Sequence, residues 1–306
     1  MEWSFTRYLS AKKTVDDRAL NRRVWDVLRE EIKKRDHNQA VRVLELGMGI
    51  GTMFQRLLES GVFTSAQYIG IDSEGENVKT ADRLIPKWAA DQGWDVHVVE
   101  ENGWKVVQNA KGTVTCQFLE ADLFEFLQQD RYQNRFDLIV ANAVLDLVPL
   151  ERVLPMIWKC LSEEGLGYFS INFDGLTSFE PTIESELDET IIAIYHQSMD
   201  ERRINGQLSG DSRTGRHLFH ALIKSGFEVI EAGSSDWLVF PRRGQYPADE
   251  AYFLHFILHF FEETIPKYPQ INPTAFEDWL RIRRSQIDKG ELVYLAHQLD
   301  YLVRKP

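Results

Sequence analysis

The chain has 306 residues, of which 43% are hydrophobic and 27% charged, the balance of an ordinary globular protein with a sizeable core. Acidic residues outnumber basic ones by 47 to 35, and the resulting net charge of -12 argues against a nucleic-acid partner, which needs a basic face. The N-terminal residues lack a signal-peptide pattern, and no apolar stretch is long enough to cross a bilayer, so we expect a cytoplasmic protein with no membrane partner. The two cysteines belong to no metal-binding motif, and no metal is predicted.

Strands and helices alternate along much of the chain. A helix is predicted first, over about residues 15–35, because Val24, Leu28 and Ile32 repeat at four-residue spacing. The elements that follow are strands at 41–46, 68–72, 113–119, 136–141 and 167–172 and helices at 53–60, 75–90 and 150–161. Such alternation indicates a mostly parallel sheet covered by helices on both faces.

Several segments add to this pattern. Short strands with turn signals predict an inserted hairpin at about 94–112. The segment at about 173–212, with a helix near 184–203, is predicted to cap a substrate pocket. Later elements are predicted as a helix at 215–225, strands at 227–232 and 237–240, and a wholly helical segment at 247–304. The predicted parts of the chain are an N-terminal helical lid at 1–39, a core domain at 40–240 and a C-terminal helical extension at 241–306.

The central motif is Glu45-Leu46-Gly47-Met48-Gly49-Ile50-Gly51-Thr52, in which an acidic residue ends a strand and glycines follow at alternate positions. Glycines allow the positive φ angles of a tight turn and the close approach of a ligand to the backbone. A dinucleotide-binding turn would place its third glycine at position 52, which is a threonine here. The spacing therefore disfavours an NAD-dependent oxidoreductase, and the missing Gly-Lys-Ser/Thr sequence disfavours a phosphate-binding P-loop.

Four consecutive strand ends together resemble those of the class I S-adenosylmethionine (SAM)-dependent methyltransferases. After the glycine turn they are Asp72, the segment Glu120-Ala121-Asp122-Leu123, and the turn Ala141-Asn142-Ala143-Val144-Leu145-Asp146. The resemblance covers about residues 40–240. It implies a Rossmann-like, doubly wound, mostly parallel sheet of seven strands, with SAM as the cofactor and S-adenosylhomocysteine as the product.

The resemblance also implies which residues hold SAM. Glu45 and the backbone of Gly47, Gly49 and Gly51 would hold the methionyl part. Asp72 would accept from the ribose hydroxyls, although an Asp at this place also commonly caps a helix. The remaining contacts would come from Asp122 and the Leu123 amide to the adenine, and from Asn142 beside the aminoacyl or methyl group.

The catalytic base is left open, because many small-molecule methyltransferases have a histidine near position 146 and this chain has Asp146. Asp146 is the first candidate for a base or substrate anchor, with the capping of the helix at 150 as the alternative. His217 is the second candidate, with an ordinary surface or core histidine as the alternative.

Substrate contacts are predicted from the segments that flank the core. Tyr8 lies in the N-terminal stretch, and Phe173, Phe179 and Tyr195 would supply aromatic walls in the cap. Arg213 and Arg216 could clamp an anionic substrate or form surface salt bridges.

The predicted function is methyl transfer from SAM to a small-molecule acceptor by in-line displacement. Methylation of a protein or RNA is one alternative, although the Asn/Asp-Pro-Pro-aromatic turn of DNA and protein-amide methyltransferases is replaced here by Asn142-Ala143-Val144-Leu145. A non-catalytic SAM-binding partner protein is a second alternative, disfavoured by the intact SAM motifs. The helical tail from residue 247 is a candidate homodimer interface.

Overall fold

The computed structural model describes residues 3–35, 39–99, 103–204 and 206–306, which form ten α-helices and twelve strands. The helices are α1 Phe5–Ala19, α2 Arg22–Lys33, α3 Thr52–Glu59, α4 Gly75–Asp91, α5 Leu123–Leu127, α6 Leu150–Cys160, α7 Ser185–Asp200, α8 Thr214–Lys224, α9 Glu250–Thr264 and α10 Pro273–Asp288. The strands are β1 Val41–Leu46, β2 Ser65–Asp72, β3 Asp95–Val99, β4 Trp104–Asn109, β5 Gly112–Glu120, β6 Phe136–Asn142, β7 Leu161–Glu180, β8 Arg203–Ile204, β9 Gln207–Leu208, β10 Glu228–Ser234, β11 Trp237–Val239 and β12 Val293–Arg304.

Ten of the strands form one sheet in the order β10-β12-β7-β6-β1-β2-β5-β4-β3, with β11 paired to β12. The five strands β5, β2, β1, β6 and β7 pair in parallel, which confirms the predicted mostly parallel, Rossmann-like sheet. The hairpin predicted at 94–112 is also confirmed, as β3 and β4 pair antiparallel beside β5. The hairpin and the short β11 raise the strand number above the expected seven. The residues that join β3 to β4, 100–102, lie outside the described part of the chain.

The prediction of a wholly helical segment at 247–304 is wrong for its last part. The helices α9 and α10 form as expected, but β12 then runs antiparallel between β7 and β10 in the sheet. Buried and half-buried side chains alternate along the first part of β12, yet apolar residues occupy both faces, so hydrophobicity does not alternate along the sequence. The two helices are therefore an excursion between two strands of the sheet.

The single helix predicted at 15–35 is also wrong, because two helices occupy this region. The helix α1 begins at Phe5 and ends before Leu20, whose backbone is not helical. Asn21 then opens α2, since its side-chain oxygen accepts the backbone N–H groups of Arg23 and Val24 at 3.1 Å each. The break lets the two helices run in different directions.

Three helices, α1, α7 and α9, form a cover that we call the roof. The Tyr8 ring of α1 stacks on Phe256 of α9 with ring centroids 4.6 Å apart, and Tyr195 of α7 stacks on Phe261 of α9 at 3.9 Å. The buried Glu250 carboxylate of α9 accepts hydrogen bonds from the α1 side chains of Thr14 and Arg18. Aromatic stacking and ion pairing thus fasten the roof helices to one another.

Candidate functional site

A cavity of about 640 Å³ lies between the roof and the carboxyl ends of the parallel strands. Its floor is formed by residues at the ends of β1, β2, β5 and β6, where ligands of open α/β sheets bind. We call this floor the glycine side: Glu45, Gly47, Met48, Gly49, Asp72, Asn77, Asp122 and Leu123. The opposite part is the roof side: Tyr8, Lys12, Asp16, Asp146, Phe173, Tyr195, Trp237, Ile257, Phe260 and Gln298.

The glycine turn is fixed by backbone conformation and by one carboxylate. Gly47 and Gly49 have φ angles of 61° and 55°, in the left-handed region that favours glycine. A β-carbon at Gly47 would come within 2.5 Å of Val144 Cγ2. The Asp72 carboxylate accepts the Gly49 N–H at 2.8 Å, so this residue also holds the shape of the turn. Gly51 is not among the cavity-lining residues and instead packs on Ile85 as it opens α3.

Glu45 is buried at the end of β1, and its Oε2 atom has no hydrogen-bond partner among the described residues. Burial raises the pKa of Glu45 well above its usual value, and the neighbouring Asp72 raises it further, while Arg56 partly offsets both effects. An unpaired buried carboxyl oxygen beside a glycine cradle fits the cationic amino group of a methionyl moiety. The residues present therefore suit SAM.

The acidic residues of β2 and β5 have local partners as well. The other Asp72 oxygen accepts the Glu74 N–H at 2.9 Å and the Asn77 side-chain amide at 3.1 Å. Asp122 caps α5, because its Oδ1 accepts two backbone N–H groups. Asp122 and Leu123 both line the cavity.

A buried polar cluster around Asp16 links the roof to the floor, and it was not predicted from the sequence. The Asp16 carboxylate accepts from Lys12 Nζ at 2.6 Å and from the Trp237 indole N–H at 2.9 Å. Asn142 at the end of β6 donates to the same carboxylate at 3.4 Å. The Arg56 guanidinium of α3 lies 3.6 Å away. The available signal was an i,i+4 Lys–Asp pair, which normally marks an exposed helix face.

Asp146, the first predicted base, lines the roof side of the cavity. Its Oδ1 atom is buried without a partner among the described residues, and Arg202 donates to its backbone carbonyl at 3.3 Å. Burial raises the pKa of Asp146, and the positive charges of Arg202 and Lys12 partly offset this effect. The structure thus presents, on a residue that lines the cavity, a buried carboxyl oxygen that no described protein donor occupies.

His217 lies elsewhere, on the surface. Its side chain is 55% exposed, its ring pairs with Asp211 at 3.0 Å, and it does not line the cavity. The position on the outward face of α8 explains why no catalytic geometry forms around it.

The predicted substrate residues divide into two groups. Tyr8, Phe173 and Tyr195 line the cavity. Phe179 instead packs edge to face on Trp279, away from the cavity, because β7 continues to Glu180 and carries it past the site. Arg213 and Arg216 are exposed and do not line the cavity. Arg216 pairs with the buried Asp174 carboxylate at 2.9 Å, so the predicted anion clamp is not part of the cavity.

The sheet order, the glycine turn and the carboxylates at successive strand ends define a class I SAM-dependent methyltransferase. A family model described as a methyltransferase domain matches residues 37–199, more than half of the chain. The chain belongs to this family and uses SAM. A sequence search of curated proteins finds no match.

Solved structures with a similar fold are distant in sequence. A SAM-dependent methyltransferase from Methanosarcina mazei has 14% identity and a TM-score of 0.45, with 88% of this chain and 95% of that chain covered. A candidate sarcosine dimethylglycine methyltransferase from Galdieria sulphuraria has 13% identity and a TM-score of 0.41, covering 92% and 85%. The geranyl diphosphate C-methyltransferase of Streptomyces coelicolor has 10% identity and a TM-score of 0.42, covering 93% and 81%. These values carry no information about the acceptor.

The described residues contain neither a membrane-spanning helix nor a metal-binding cluster. None of the helices they form is long and apolar enough to cross a membrane. Within the same ranges, no group of three or more His, Cys, Asp or Glu side chains is placed to hold a metal ion.

Proposed function

We propose that this methyltransferase transfers the SAM methyl group to a small-molecule acceptor bound on the roof side of the cavity. The observation that carries the proposal is one cavity that extends from the glycine turn to Asp146 and Tyr195 under the roof. Its volume of about 640 Å³ is within the usual range for small-molecule sites, roughly 300–1,000 Å³.

The contacts that hold the roof helices together favour a small acceptor over a macromolecular one. Besides the Glu250 ion pair, Arg7 of α1 pairs with Asp249 at 2.8 Å, and the Ser4 N–H donates to the Tyr252 hydroxyl at 2.8 Å. These contacts hold α1 and α9 together over the cavity, which favours an acceptor small enough to fit inside it. The net charge of -12 also disfavours RNA.

The binding roles are those that the family resemblance implies, and the position of these residues along one cavity supports them. Bound SAM supplies a methyl group made electrophilic by its sulfonium. Glu45 and the glycine turn would hold the methionyl part, and Asp72 would accept from the ribose hydroxyls. Asp122, with the Leu123 amide, would hold the adenine, and Asn142 would lie beside the aminoacyl group. The enclosed walls exclude water and fix the acceptor, and such alignment contributes roughly 7–11 kcal/mol of barrier lowering in favourable cases.

Asp146 would act on the acceptor itself. Its unpaired Oδ1 accepts the O–H or N–H hydrogen of the acceptor and takes that proton as the acceptor atom is methylated. A positioned base of this kind contributes roughly 10²–10⁴-fold to the rate. The raised pKa of Asp146 makes it a stronger base than an exposed aspartate.

The test uses SAM with an isotopically labelled methyl group and a cell extract separated into small-molecule and macromolecular fractions. Mass spectrometry should find label in a small molecule, and Asp146→Asn should reduce the rate by about 10²–10⁴-fold. Asp211→Asn is the matched control, because Asp211 lines the same cavity but pairs with His217. Label confined to protein or nucleic acid would overturn the proposal, as would no transfer by protein that calorimetry shows to bind SAM.

A further inference from the structure

The walls of the roof side are largely aromatic and aliphatic. The apolar lining side chains are those of Phe173, Met199, Trp237, Ile257 and Phe260, together with the rings of Tyr8 and Tyr195. Most polar groups among them already have partners within the protein. Lys12 pairs with Asp16, Thr177 Oγ1 lies 3.0 Å from His196 Nε2, and Arg202 donates to a backbone carbonyl. Each of these groups therefore has at least one contact within the protein before a ligand binds.

Two lining side chains on the roof side are different. Gln298, on β12 opposite Phe173, is only 1% exposed, and its Oε1 has no hydrogen-bond partner in the described ranges. Asp146 Oδ1 is buried and unpaired in the same way. Buried acceptors without donors are costly, so each indicates a place where a ligand supplies an N–H or O–H group. Both atoms repel a carboxylate or phosphate, and the arginines predicted to bind an anion lie outside the cavity.

The mouth of the cavity is apolar. Phe5, Leu147 and Ile204 line the cavity and are nevertheless 46%, 43% and 38% exposed. They come from α1, the turn after β6 and the β8–β9 hairpin, so three separate elements contribute to one apolar rim. Exposed apolar side chains that converge on a cavity are typical of a site for an apolar ligand.

We propose that the acceptor is an uncharged, largely apolar molecule with hydroxyl or amine N–H donors at its buried end. Its donors bind Asp146 and Gln298, and its apolar body follows the aromatic walls to the rim of Phe5, Leu147 and Ile204. This inference rests on the proposed function and assigns Gln298 as a specificity-determining residue.

The test measures binding by calorimetry in the presence of S-adenosylhomocysteine. The probes are 4-ethyl-, 4-butyl- and 4-hexylresorcinol, which carry two hydroxyl donors and a graded apolar tail. The comparison probe is 4-hexylbenzoate, an anion with the same longest tail. Affinity should rise by about fourfold per added methylene, the transfer free energy of a buried CH₂ group. The benzoate should bind at least about tenfold more weakly than hexylresorcinol, because two acceptor oxygens face its carboxylate.

Three variants locate the effect. Gln298→Leu should weaken all resorcinols by roughly fivefold or more while retaining affinity for S-adenosylhomocysteine, which reports an intact fold. Ile204→Ser should flatten the dependence on tail length. Leu208→Ser is its matched control, because Leu208 is 53% exposed on the paired strand but does not line the cavity.

The inference is overturned if the benzoate binds as tightly as the resorcinols, if the affinity of the resorcinols does not depend on tail length, or if no probe binds. Equal effects of Ile204→Ser and Leu208→Ser would also overturn it. None of these outcomes affects label transfer from SAM to a small molecule, so failure of the inference and failure of the proposed function are separate results.

Discussion

The Asp16 carboxylate is the strongest point of attachment between the roof and the floor, and its removal gives a quantitative prediction. In Asp16→Ala, the buried Lys12 ammonium loses its partner at 2.6 Å and the Trp237 indole N–H loses its acceptor at 2.9 Å. Breaking a buried ion pair from one side costs about 3–5 kcal/mol. An unsatisfied buried N–H costs about 1–3 kcal/mol, which does not add fully because the two groups share one site.

We therefore expect Asp16→Ala to lower the free energy of unfolding by about 3–5 kcal/mol in urea denaturation. The double variant Lys12→Met/Asp16→Leu removes both charges and should cost less, because the uncompensated Lys12 charge is gone and the unpaired Trp237 N–H, about 1–3 kcal/mol, remains. Affinity for S-adenosylhomocysteine should fall in the single variant, since Asn142 also donates to Asp16.

The control is Asp278→Ala, which removes a salt bridge with Arg281 whose side chains are 60% and 70% exposed. Such pairs contribute about 0–1 kcal/mol. An Asp16→Ala cost as small as that of the control would refute the reasoning, as would a double variant no more stable than the single one.

Three further predictions concern other parts of the site. Gly47→Ala brings a β-carbon within 2.5 Å of Val144 and should weaken S-adenosylhomocysteine binding at least about tenfold in calorimetry. Gly61→Ala is the control, because Gly61 has nearly the same φ but lies in open space, and it should not weaken binding. Equal affinities of the two variants would contradict this prediction. Burial raises the Asp146 pKa, and only the carboxylate accepts a proton, so the acid limb of the wild-type kcat/KM profile should lie above the ordinary aspartate pKa of about 3.9. Asp146→Asn should abolish this limb. An unchanged limb would exclude Asp146 as the base. Burial raises the pKa of Asp300 to about 6, so its contribution to stability is full below the pKa of the unfolded chain and is lost as the pH rises through about 6. Between these two pKa values, the free energy of unfolding should fall with pH relative to that of Asp300→Asn. Parallel plots of unfolding free energy against pH for the two proteins would contradict this prediction.

The glycine side could be predicted from the sequence because its signals are local. Each residue lies at or just after the end of a strand, and parallel strands bring their carboxyl ends to one edge of the sheet. The structure accordingly brings Glu45, Gly47, Asp72 and Asp122 to one cavity. What the sequence did not indicate is that Asp72 also anchors the turn itself, because that contact joins two loops.

The roof side could not be predicted in the same way. Gln298 lies on a strand whose apolar residues occupy both faces, so the sequence pattern does not single out its buried position. Lys12 and Asp16 resemble an exposed helical pair until α1 is placed against α3 and β11. Arg213 and Arg216 show the reverse case, since these exposed charged residues at the start of α8 do not line the cavity. These differences depend on tertiary packing rather than on local pattern.

The position of β12 has a consequence for synthesis of the protein. Residues 293–304 lie between β7 and β10, so the strands on either side of that gap cannot complete their hydrogen bonding until this late segment has been made. A nascent chain can assemble β1, β2, β5 and β6 early, but it then presents the open edge of β7, a twenty-residue strand, to other chains on the ribosome. Gln298 belongs to the same strand, so the proposed acceptor site and the closed sheet can form only after β12 has been made.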